Sequence, residues 1–360
     1  MRKIWIVMLV TVMLTALGCA NQNQGVRETA STAANASSST GLGTDLPPAE
    51  QDELTLRLNW KFKGEFAPFF VAKEKGIFEK YGLNVNVLEG SGSVSVLQVI
   101  AQNKEEIGVT SAVEPVQGIE KGMPVKMIAS YMTRSPIILL SYPDNPVRSP
   151  KDLEGKSLAS SSGSTFTSVY EKFLEYNGTD YEKVEHMMVE TGARNTLFQN
   201  READAIAVFS TNEYPLFEKN LGQELVPLYL ADYGFDLSGL SLITNNKFAE
   251  ENPNTLKRFL IAVDEAFAYS MEHPEEAAAI SKRLFPDVVD EQITAEQIVR
   301  TGELAVRPEG KPYGYVNAEH LEQMTLLMQE TGLIKNREKV DTYYTNQYLP
   351  DQSAEAGGEE

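Results

Sequence analysis

The sequence predicts an α/β protein in which strands and helices alternate over about 300 residues. Two observations support this prediction. LTLRLNW (54–60) and GLNVNVLE (82–89) alternate apolar and polar residues as strands do, and residues 67–81 between them carry apolar side chains at helical spacing. This alternation indicates a mostly parallel sheet covered by helices on both faces, and the length allows two lobes with separate cores.

The same alternation continues along the chain. Helices are predicted at 94–102, at 115–121 and at 254–271, and another begins after residue 165 with apolar side chains at i, i+3, i+4, i+7 and i+8. Further strands are predicted in EEIGVTSA (105–112), VKMIASYM (125–132), SLAS (157–160), VEHMMVE (184–190), ADAIAVFS (203–210), LVPLYL (225–230) and LSLITNN (240–246).

The first residues have the pattern of a secretory signal. Two basic residues precede an apolar run at residues 4–14, which is shorter than the roughly 20 residues of a membrane span. Cys19, the one cysteine of the chain, directly follows Gly18. The segment resembles the lipobox of a bacterial lipoprotein, with Ala16 and Leu17 in reversed order. We expect cleavage after residue 18 and lipidation of Cys19; the alternative is a cysteine of the signal core with no role.

The composition of the two ends predicts flexible segments. After a signal peptide at residues 1–18, residues 19–52 are rich in Ser, Thr, Ala, Gly and Gln, and residues 351–360 are similarly polar. Such segments bury too little apolar surface to offset the entropy lost on ordering. We therefore expect a tether at 19–52 and a disordered tail at 351–360.

The charge and the motifs exclude several classes of function. The chain has 51 acidic and 32 basic residues, a net charge of -19, which argues against nucleic-acid binding. A single cysteine excludes an intrachain disulfide and a cysteine-based metal site. Neither HExxH nor Gly-x-Ser-x-Gly occurs, and His273 and His320 lie in polar surroundings, with His186 the third histidine. We expect no catalysis, no cofactor and no metal.

Four segments resemble one family of proteins. FFVAKEKGIFEKYGLNVNV (69–87), IAQNKEEIGVTSA (100–112), KGMPVKMIA (121–129) and STNEYP (210–215) are together similar to the solute-binding proteins of bacterial ABC importers. Within these, the chain resembles the branch called NMT1/THI5-like, which is related to binders of thiamine-precursor pyrimidines, nitrate and sulfonates. The resemblance extends from about residue 54 to residue 349.

The resemblance implies a type II periplasmic-binding fold, in which two α/β lobes are joined by two crossing strands. Lobe 1 is expected at 53–132 and 236–350, and lobe 2 at 133–235, with crossings near 130–135 and 231–238. Ligand binds in the cleft of such a protein, and the lobes close over it by hinge motion. The expected partners are an ABC permease with its ATPase and, through the lipid on Cys19, the outer face of the cell membrane. A monomer suits this mechanism.

The aromatic residues after the first strand are candidates for ligand stacking. Ligands of open α/β sheets bind beyond the carboxyl ends of the strands, where Trp60, Phe62 and Phe66 are expected. The alternative is packing in the core, which is favoured for Phe69 and Phe70 inside the predicted helix.

Polar segments at other strand ends complete the predicted cleft. GSGS (90–93) and SSSGST (160–165) open helices, so their hydroxyl and amide groups either bind a ligand or only cap the helices. In Thr211-Asn212-Glu213 a carboxylate stands beside a carboxamide, so the pair can both accept and donate hydrogen bonds. In the family that this chain resembles, a proline usually follows the glutamate directly, whereas here Tyr214 separates Glu213 from Pro215. The full set of predicted ligand-binding residues is Asn59, Trp60, Phe62, Glu65, Phe66, Ser91, Gly92, Ser93, Ser111, Ser162, Ser164, Thr165, Glu190, Thr211, Asn212 and Glu213.

These features favour a small aromatic heterocycle as the ligand, either a thiamine-precursor pyrimidine or a riboflavin-like compound. One alternative is a sulfonate, nitrate or similar anion, for which Arg134 is the nearest candidate cation. Another is a ligand sensor that is not coupled to transport.

Overall fold

The computed structural model describes residues 46–351. The predicted signal peptide, Cys19, most of the predicted tether and residues 352–360 of the predicted tail lie outside the described residues. Residues 46–52 contradict the prediction of a flexible tether, because they are bound to the long helix near residue 255. The Glu50 carboxylate accepts the Thr255 N–H at 2.9 Å, and Arg258 donates to the carbonyls of Leu46 and Pro47.

Ten strands form two sheets in the described part of the chain, and both sheets are mixed. In the first sheet, in the order β2-β1-β3-β10-β4, strand β10 runs antiparallel to both neighbours. In the second, in the order β7-β6-β8-β5-β9, strand β5 does the same. The strands are β1 (Glu53–Arg57), β2 (Asn84–Leu88), β3 (Ile107–Thr110), β4 (Val125–Ser130), β5 (Ile137–Ser141), β6 (Ser157–Ser161), β7 (Glu185–Val189), β8 (Ala205–Phe209), β9 (Val226–Tyr229) and β10 (Ser241–Asn245).

Helices cover both faces of each sheet, and the apolar residues between them form the cores. None of the described helices has the length and hydropathy that a membrane span requires. They are α1 (Ala67–Glu74), α2 (Ile77–Lys80), α3 (Ser93–Ala101), α4 (Val113–Glu120), α5 (Thr165–Tyr176), α6 (Thr191–Gln199), α7 (Glu213–Leu221), α8 (Asn246–Glu251), α9 (Pro253–Glu272), α10 (Pro274–Leu284), α11 (Glu291–Leu304), α12 (Ala318–Glu330) and α13 (Val340–Tyr343).

The predicted helix at 67–81 is two helices in the structure. Gly76 has φ = 67°, a left-handed conformation that ends α1 and starts α2. The apolar spacing continues through this turn because both short helices pack on the same side of the first sheet, against α9. Periodicity alone therefore did not reveal the break.

The two sheets are connected by two chain segments that lie side by side. One leads from β4 to β5, and the other leads from β9 to β10. The Tyr131 N–H donates to the Leu240 carbonyl at 2.7 Å, and the Gly239 N–H donates to the Met132 carbonyl at 2.9 Å. Each sheet with its helices forms one lobe, and these paired segments connect the two lobes.

Candidate functional site

A cavity of about 50 Å³ lies between the lobes, at the ends of several strands. Both lobes contribute to its wall, as expected for a ligand site in a two-lobed α/β protein. The predicted residues that line it are Asn59, Trp60, Glu65, Ser93, Ser164, Thr165, Asn212 and Glu213. The other lining residues, which were not predicted as ligand contacts, are Ile137, Phe166, Arg194, Ala207, Val208 and Phe209.

Of the three aromatic residues predicted to stack on a ligand, only Trp60 lines the cavity. The prediction is wrong for Phe62, whose ring stacks on Phe285 with centroids 4.6 Å apart and meets Phe70 edge-on at 5.4 Å. It is also wrong for Phe66, which is fully buried in the core of lobe 1. The short helical turn Gly64–Phe66 explains the difference, because it directs Glu65 toward the cavity and Phe66 away from it.

Glu65 is a buried carboxyl group of lobe 1 that faces residues of lobe 2. The Thr211 hydroxyl donates to its Oε2 at 3.4 Å. Burial raises the pKa of the Glu65 carboxyl to about 7, and the negative charge of Glu213 adds to the increase. A hydrogen-bond donor or a cation placed next to this group would lower its pKa and favour the carboxylate near neutral pH.

The turn that carries Glu65 is held by Gln297 of α11. The Gly64 N–H donates to the Gln297 Oε1 at 3.0 Å, and the Gln297 Nε2 donates to the Asn212 carbonyl at 2.8 Å. Gln297 thus joins the lobe 1 and lobe 2 walls of the cavity.

Glu213 is the first residue of α7 and forms a buried ion pair with Arg194 of α6. Arg194 Nη2 lies 2.9 Å from Glu213 Oε1, and Arg194 Nη1 donates to the Ala207 carbonyl at 3.0 Å. Burial by itself raises the pKa of the Glu213 carboxyl, but the charge of Arg194, with smaller contributions from Lys63 and hydrogen bonds, outweighs burial, so the pKa lies below its ordinary value. Glu213 is consequently a fixed negative charge of the cavity wall.

Arg194 is the functional residue that the sequence reasoning missed. The nearest cation predicted, Arg134, is instead half-exposed and pairs with Asp232 at 2.5 Å. Arg194 lies in the first turn of the helix that follows β7, a position that the strand-end rule covers. The insertion of Tyr214 does not displace Glu213 from the cavity, because the Tyr214 ring packs beside the guanidinium of Arg300.

Two carboxamide oxygens on the cavity wall have no hydrogen-bond partner among residues 46–351. They are Asn59 Oδ1 in lobe 1 and Asn212 Oδ1 in lobe 2, and both side chains are more than nine-tenths buried. The Asn59 amide donates to Ser93 Oγ at 3.1 Å, which leaves its oxygen as the free end. An unsatisfied buried acceptor costs roughly 1–3 kcal/mol, so these two oxygens are the strongest acceptors that the wall offers to a hydrogen-bond donor in the cavity.

The two hydroxyl-rich loops meet across the cleft. Gly92 has φ = 139°, and a Cβ atom on it would lie 2.8 Å from the Gly163 carbonyl oxygen. Ser164 caps α5 by accepting a hydrogen bond from the Thr167 N–H, and it also lines the cavity. The two roles considered for this loop, helix capping and a place in the ligand site, are therefore compatible at Ser164.

Besides Phe62 and Phe66, six predicted residues do not line the cavity: Ser91, Gly92, Ser111, Ser162, Glu190 and Thr211. Ser91 and Ser162 are exposed at the loop tips, and Ser111 lies behind Ser93, donating its N–H to Ser93 Oγ at 3.2 Å. Glu190 is an exposed residue at the start of α6, so its carboxylate faces solvent and is not part of the cavity wall. Thr211 reaches the cavity only through Glu65.

Comparison with known proteins identifies the family. The sequence model described as NMT1/THI5 like matches residues 63–277. The chain belongs to this family. Its relatives include the formylaminopyrimidine-binding protein of Halalkalibacterium halodurans, 24% identical over 280 residues that cover 76% of this chain and 83% of that protein. The riboflavin-binding protein RibY of Chloroflexus aurantiacus is 22% identical over 312 residues, which cover 83% and 86%.

The family also contains proteins named as enzymes. The 4-amino-5-hydroxymethyl-2-methylpyrimidine phosphate synthase of Candida albicans is 24% identical over 258 residues, which cover 63% of this chain and 70% of that protein. Membership of the family therefore does not by itself separate a binding protein from a synthase.

Solved structures identify the fold. The periplasmic aliphatic sulphonate-binding protein SsuA from Escherichia coli has a TM-score of 0.63 at 17% identity, over 82% of this chain and 92% of that one. The periplasmic nitrate-binding protein NrtA from Synechocystis PCC 6803 has a TM-score of 0.64 at 15% identity, over 87% and 90%. The predicted type II periplasmic-binding fold with two α/β lobes is confirmed.

Proposed function

We propose that the chain is the extracytoplasmic solute-binding protein of an ABC importer and that it captures a small aromatic heterocycle carrying amino groups. The lobes close over the ligand by rotation about the paired segments near Tyr131 and Gly239. The lead ligand is an aminopyrimidine related to thiamine precursors. The names of the pyrimidine-binding and riboflavin-binding relatives support this class of ligand.

The observation that carries the proposal is the excess of hydrogen-bond acceptors on the cavity wall. Among the described residues, no donor reaches Asn59 Oδ1 or Asn212 Oδ1, and no cation forms an ion pair with the buried Glu65 carboxyl. An aminopyrimidine presents several N–H donors at the edge of a flat ring, so it matches such a wall. Trp60 from lobe 1 and Phe166 and Phe209 from lobe 2 supply ring faces or edges for the flat part of the ligand.

The size of the cavity favours a single ring. A volume of about 50 Å³ is small beside the roughly 300–1,000 Å³ of pockets for drug-sized ligands. A pyrimidine requires less separation of the lobes than a three-ring flavin does. We therefore rank the pyrimidine ahead of a riboflavin-like ligand.

An anionic ligand fits the charges of the cavity less well. Arg194 is the one basic side chain among the lining residues, and its groups are engaged by Glu213, by the Ala207 carbonyl and by Asn195. A sulfonate or nitrate would also lie close to the fixed charge of Glu213. Transport of an anion consequently remains the second candidate, supported by the fold shared with SsuA and NrtA.

We further propose that the protein binds without catalysis and is anchored by lipid on Cys19. None of its three histidines lines the cavity: His186 stacks on Tyr170, His273 packs beside Tyr269, and His320 contacts Ser238. The cavity thus lacks the usual general acid–base side chain near neutral pH, other than Glu65. The partners in this proposal are a permease and its ATPase, the receptor acting as a monomer.

Thermal melts against a ligand panel test the proposed function. The protein would begin at residue 19 with Cys19→Ser, and the panel would contain hydroxymethylpyrimidine, formylaminopyrimidine, thiamine, riboflavin, taurine, an alkanesulfonate and nitrate. A ligand at about 100 times its Kd adds roughly 2.7 kcal/mol, which moves the Tm by a few degrees. We expect shifts with the aminopyrimidines that are reduced by Trp60→Ala.

The matched control is Phe62→Leu, which changes a ring outside the cavity and should retain the ligand-induced shift. Shifts with sulfonates or nitrate alone would contradict the proposal and favour the anion.

A further inference from the structure

Glu114 is a second buried carboxyl group between the lobes, and the ligand cavity does not use it. It lies in the first turn of α4 in lobe 1, is 1% exposed and is not a lining residue of the cavity. Its Oε1 accepts a hydrogen bond from the Thr165 hydroxyl at 2.9 Å, and its Oε2 has no partner in the part of the chain that the structure describes. Because Thr165 is the first residue of α5 in lobe 2, this bond crosses from one lobe to the other.

No described side chain of opposite charge compensates this carboxyl group. The groups that stabilise its charge are the hydroxyls of Thr165 and Ser111 and its own backbone N–H. Among the elements packed against α4, helix α3 has no titratable side chain, and Lys126 of β4 donates to the carbonyl of Asp341 in α13. The nearest titratable residue of α5 is Tyr170, one and a half turns beyond Thr165.

Burial without a cation penalises the charged form of Glu114. It raises the pKa of the Glu114 carboxyl to about 7, although the hydrogen bond from Thr165 acts in the opposite direction. Separation of the lobes breaks the bond from Thr165, the hydrogen bond by which lobe 2 contacts this carboxyl group.

We propose that Glu114 is a proton-binding site that forms when the lobes close: the closed lobes hold its carboxyl group neutral, and separated lobes return it to water as a carboxylate. The site rests on the lobe rotation of the proposed function, but not on the identity of the ligand. Since the closed state binds the additional proton, closure is favoured as the pH falls below about 7 and loses this support as the pH rises through that value.

Lobe separation measured without ligand tests this site. Spin labels on Lys61→Cys and Glu190→Cys, in the chain from residue 19 with Cys19→Ser, report the distance between exposed residues at strand ends of opposite lobes. We expect the ratio of closed to open molecules to fall roughly tenfold or more between pH 5 and pH 8. Glu114→Gln keeps the shape of the side chain without its charge, so it should remove that part of the change.

Among the other titratable groups at the lobe interface and the hinge, Glu65 and His320 require controls. The two remaining interface carboxyl groups are paired with cations, Asp290 with Lys219 and Glu213 with Arg194, and the pKa of each lies below its ordinary value. Glu65 is buried in the cavity wall, and the His320 Nε2 lies 2.9 Å from the Ser238 hydroxyl beside the hinge. In a Glu65→Gln/His320→Gln background the pH-dependent change should persist, and adding Glu114→Gln should abolish it. Thr165→Val removes the donor to the carboxyl group and should shift the midpoint of closure to higher pH.

A distance that is the same at both pH values, whether long or short, would contradict the proton site. The proton site would also be contradicted if adding Glu114→Gln to the Glu65→Gln/His320→Gln protein left the pH dependence of the label distance unchanged. Because no ligand is present, failure of the pyrimidine proposal would leave this result unaffected, and the two failures are distinguishable.

Discussion

The two walls of the cavity contain carboxyl groups in opposite electrostatic states. Glu213 in lobe 2 is paired with Arg194, and its pKa lies below the ordinary value. Glu65 in lobe 1 is equally buried but has no cation in contact, and its pKa rises to about 7. Burial acts in the same direction on both, so the ion-pair partner decides which carboxyl group is a permanent charge and which one responds to the ligand.

This difference assigns separate roles to the two lobes. In lobe 2 the negative charge of Glu213, on α7, is already compensated by Arg194, on α6 of the same lobe. Lobe 1 presents the buried Glu65 carboxyl, which forms no ion pair with a described residue, and each lobe adds one carboxamide oxygen without a described donor, Asn59 Oδ1 in lobe 1 and Asn212 Oδ1 in lobe 2. In this account a ligand with N–H donors completes the wall of lobe 1 and closes it against lobe 2.

The largest effect is expected from removing the cation of lobe 2. Arg194→Ala leaves Glu213 buried without its partner, which should lower the free energy of unfolding by roughly 3–5 kcal/mol at pH 7. The loss should shrink at low pH, where Glu213 can take up a proton. Urea unfolding at both pH values measures it. The exposed pair of Arg134 and Asp232 is the control, since Arg134→Ala should cost about 0–1 kcal/mol.

A loss for Arg194→Ala as small as that for Arg134→Ala would show that the two lobes do not differ in the way described. Adding Glu213→Gln to Arg194→Ala should recover part of the lost stability, because the uncompensated charge is then absent.

A smaller effect, and one of opposite sign, is expected at Glu65. The native pKa of Glu65 is raised, so its contribution to stability falls as the pH rises from the unfolded value near 4.5 to about 7. Glu65→Gln removes this fall and should stabilise the ligand-free protein by on the order of 2 kcal/mol at pH 8, with little effect at pH 4. Urea unfolding of both proteins across this range measures the difference. Equal stability at every pH would mean that Glu65 is solvated.

The smallest effect is expected at Trp60, which is partly buried and lines the cavity. Trp60→Ala should weaken binding of the aminopyrimidine by about 0.5–1.5 kcal/mol beyond the loss of buried area, through loss of aromatic contact. Calorimetric titration gives this value, and the same titration of Phe62→Leu should give a Kd near that of the unchanged protein. A larger loss for Phe62→Leu than for Trp60→Ala would reverse the assignment of these rings.

The sequence was sufficient to predict the fold, since alternating strands and helices and the family resemblance both depend on patterns along the chain. It also placed Asn59, Glu65, Asn212 and Glu213 at strand ends, where the structure brings them to one cavity. The directions of Phe62 and Phe66 were not predictable, because a single helical turn at Gly64–Phe66 decides which of three adjacent side chains enters the core.

Arg194 was missed for a related reason. Its role depends on the packing of α6 beside α7, which brings its guanidinium to Glu213. The sequence pattern does not predict that contact between two helices. The antiparallel strands β5 and β10 were likewise not visible in a pattern that predicts strands but not their directions.

The most direct test of the central claim compares an aminopyrimidine with the same ring lacking its amino group. Calorimetric titration at pH 7 gives both dissociation constants. An acceptor wall left without a donor costs roughly 1–3 kcal/mol, so the account predicts that loss of the amino group raises the Kd by about tenfold or more. Equal affinities for the two rings, or tighter binding of a sulfonate than of either, would contradict it.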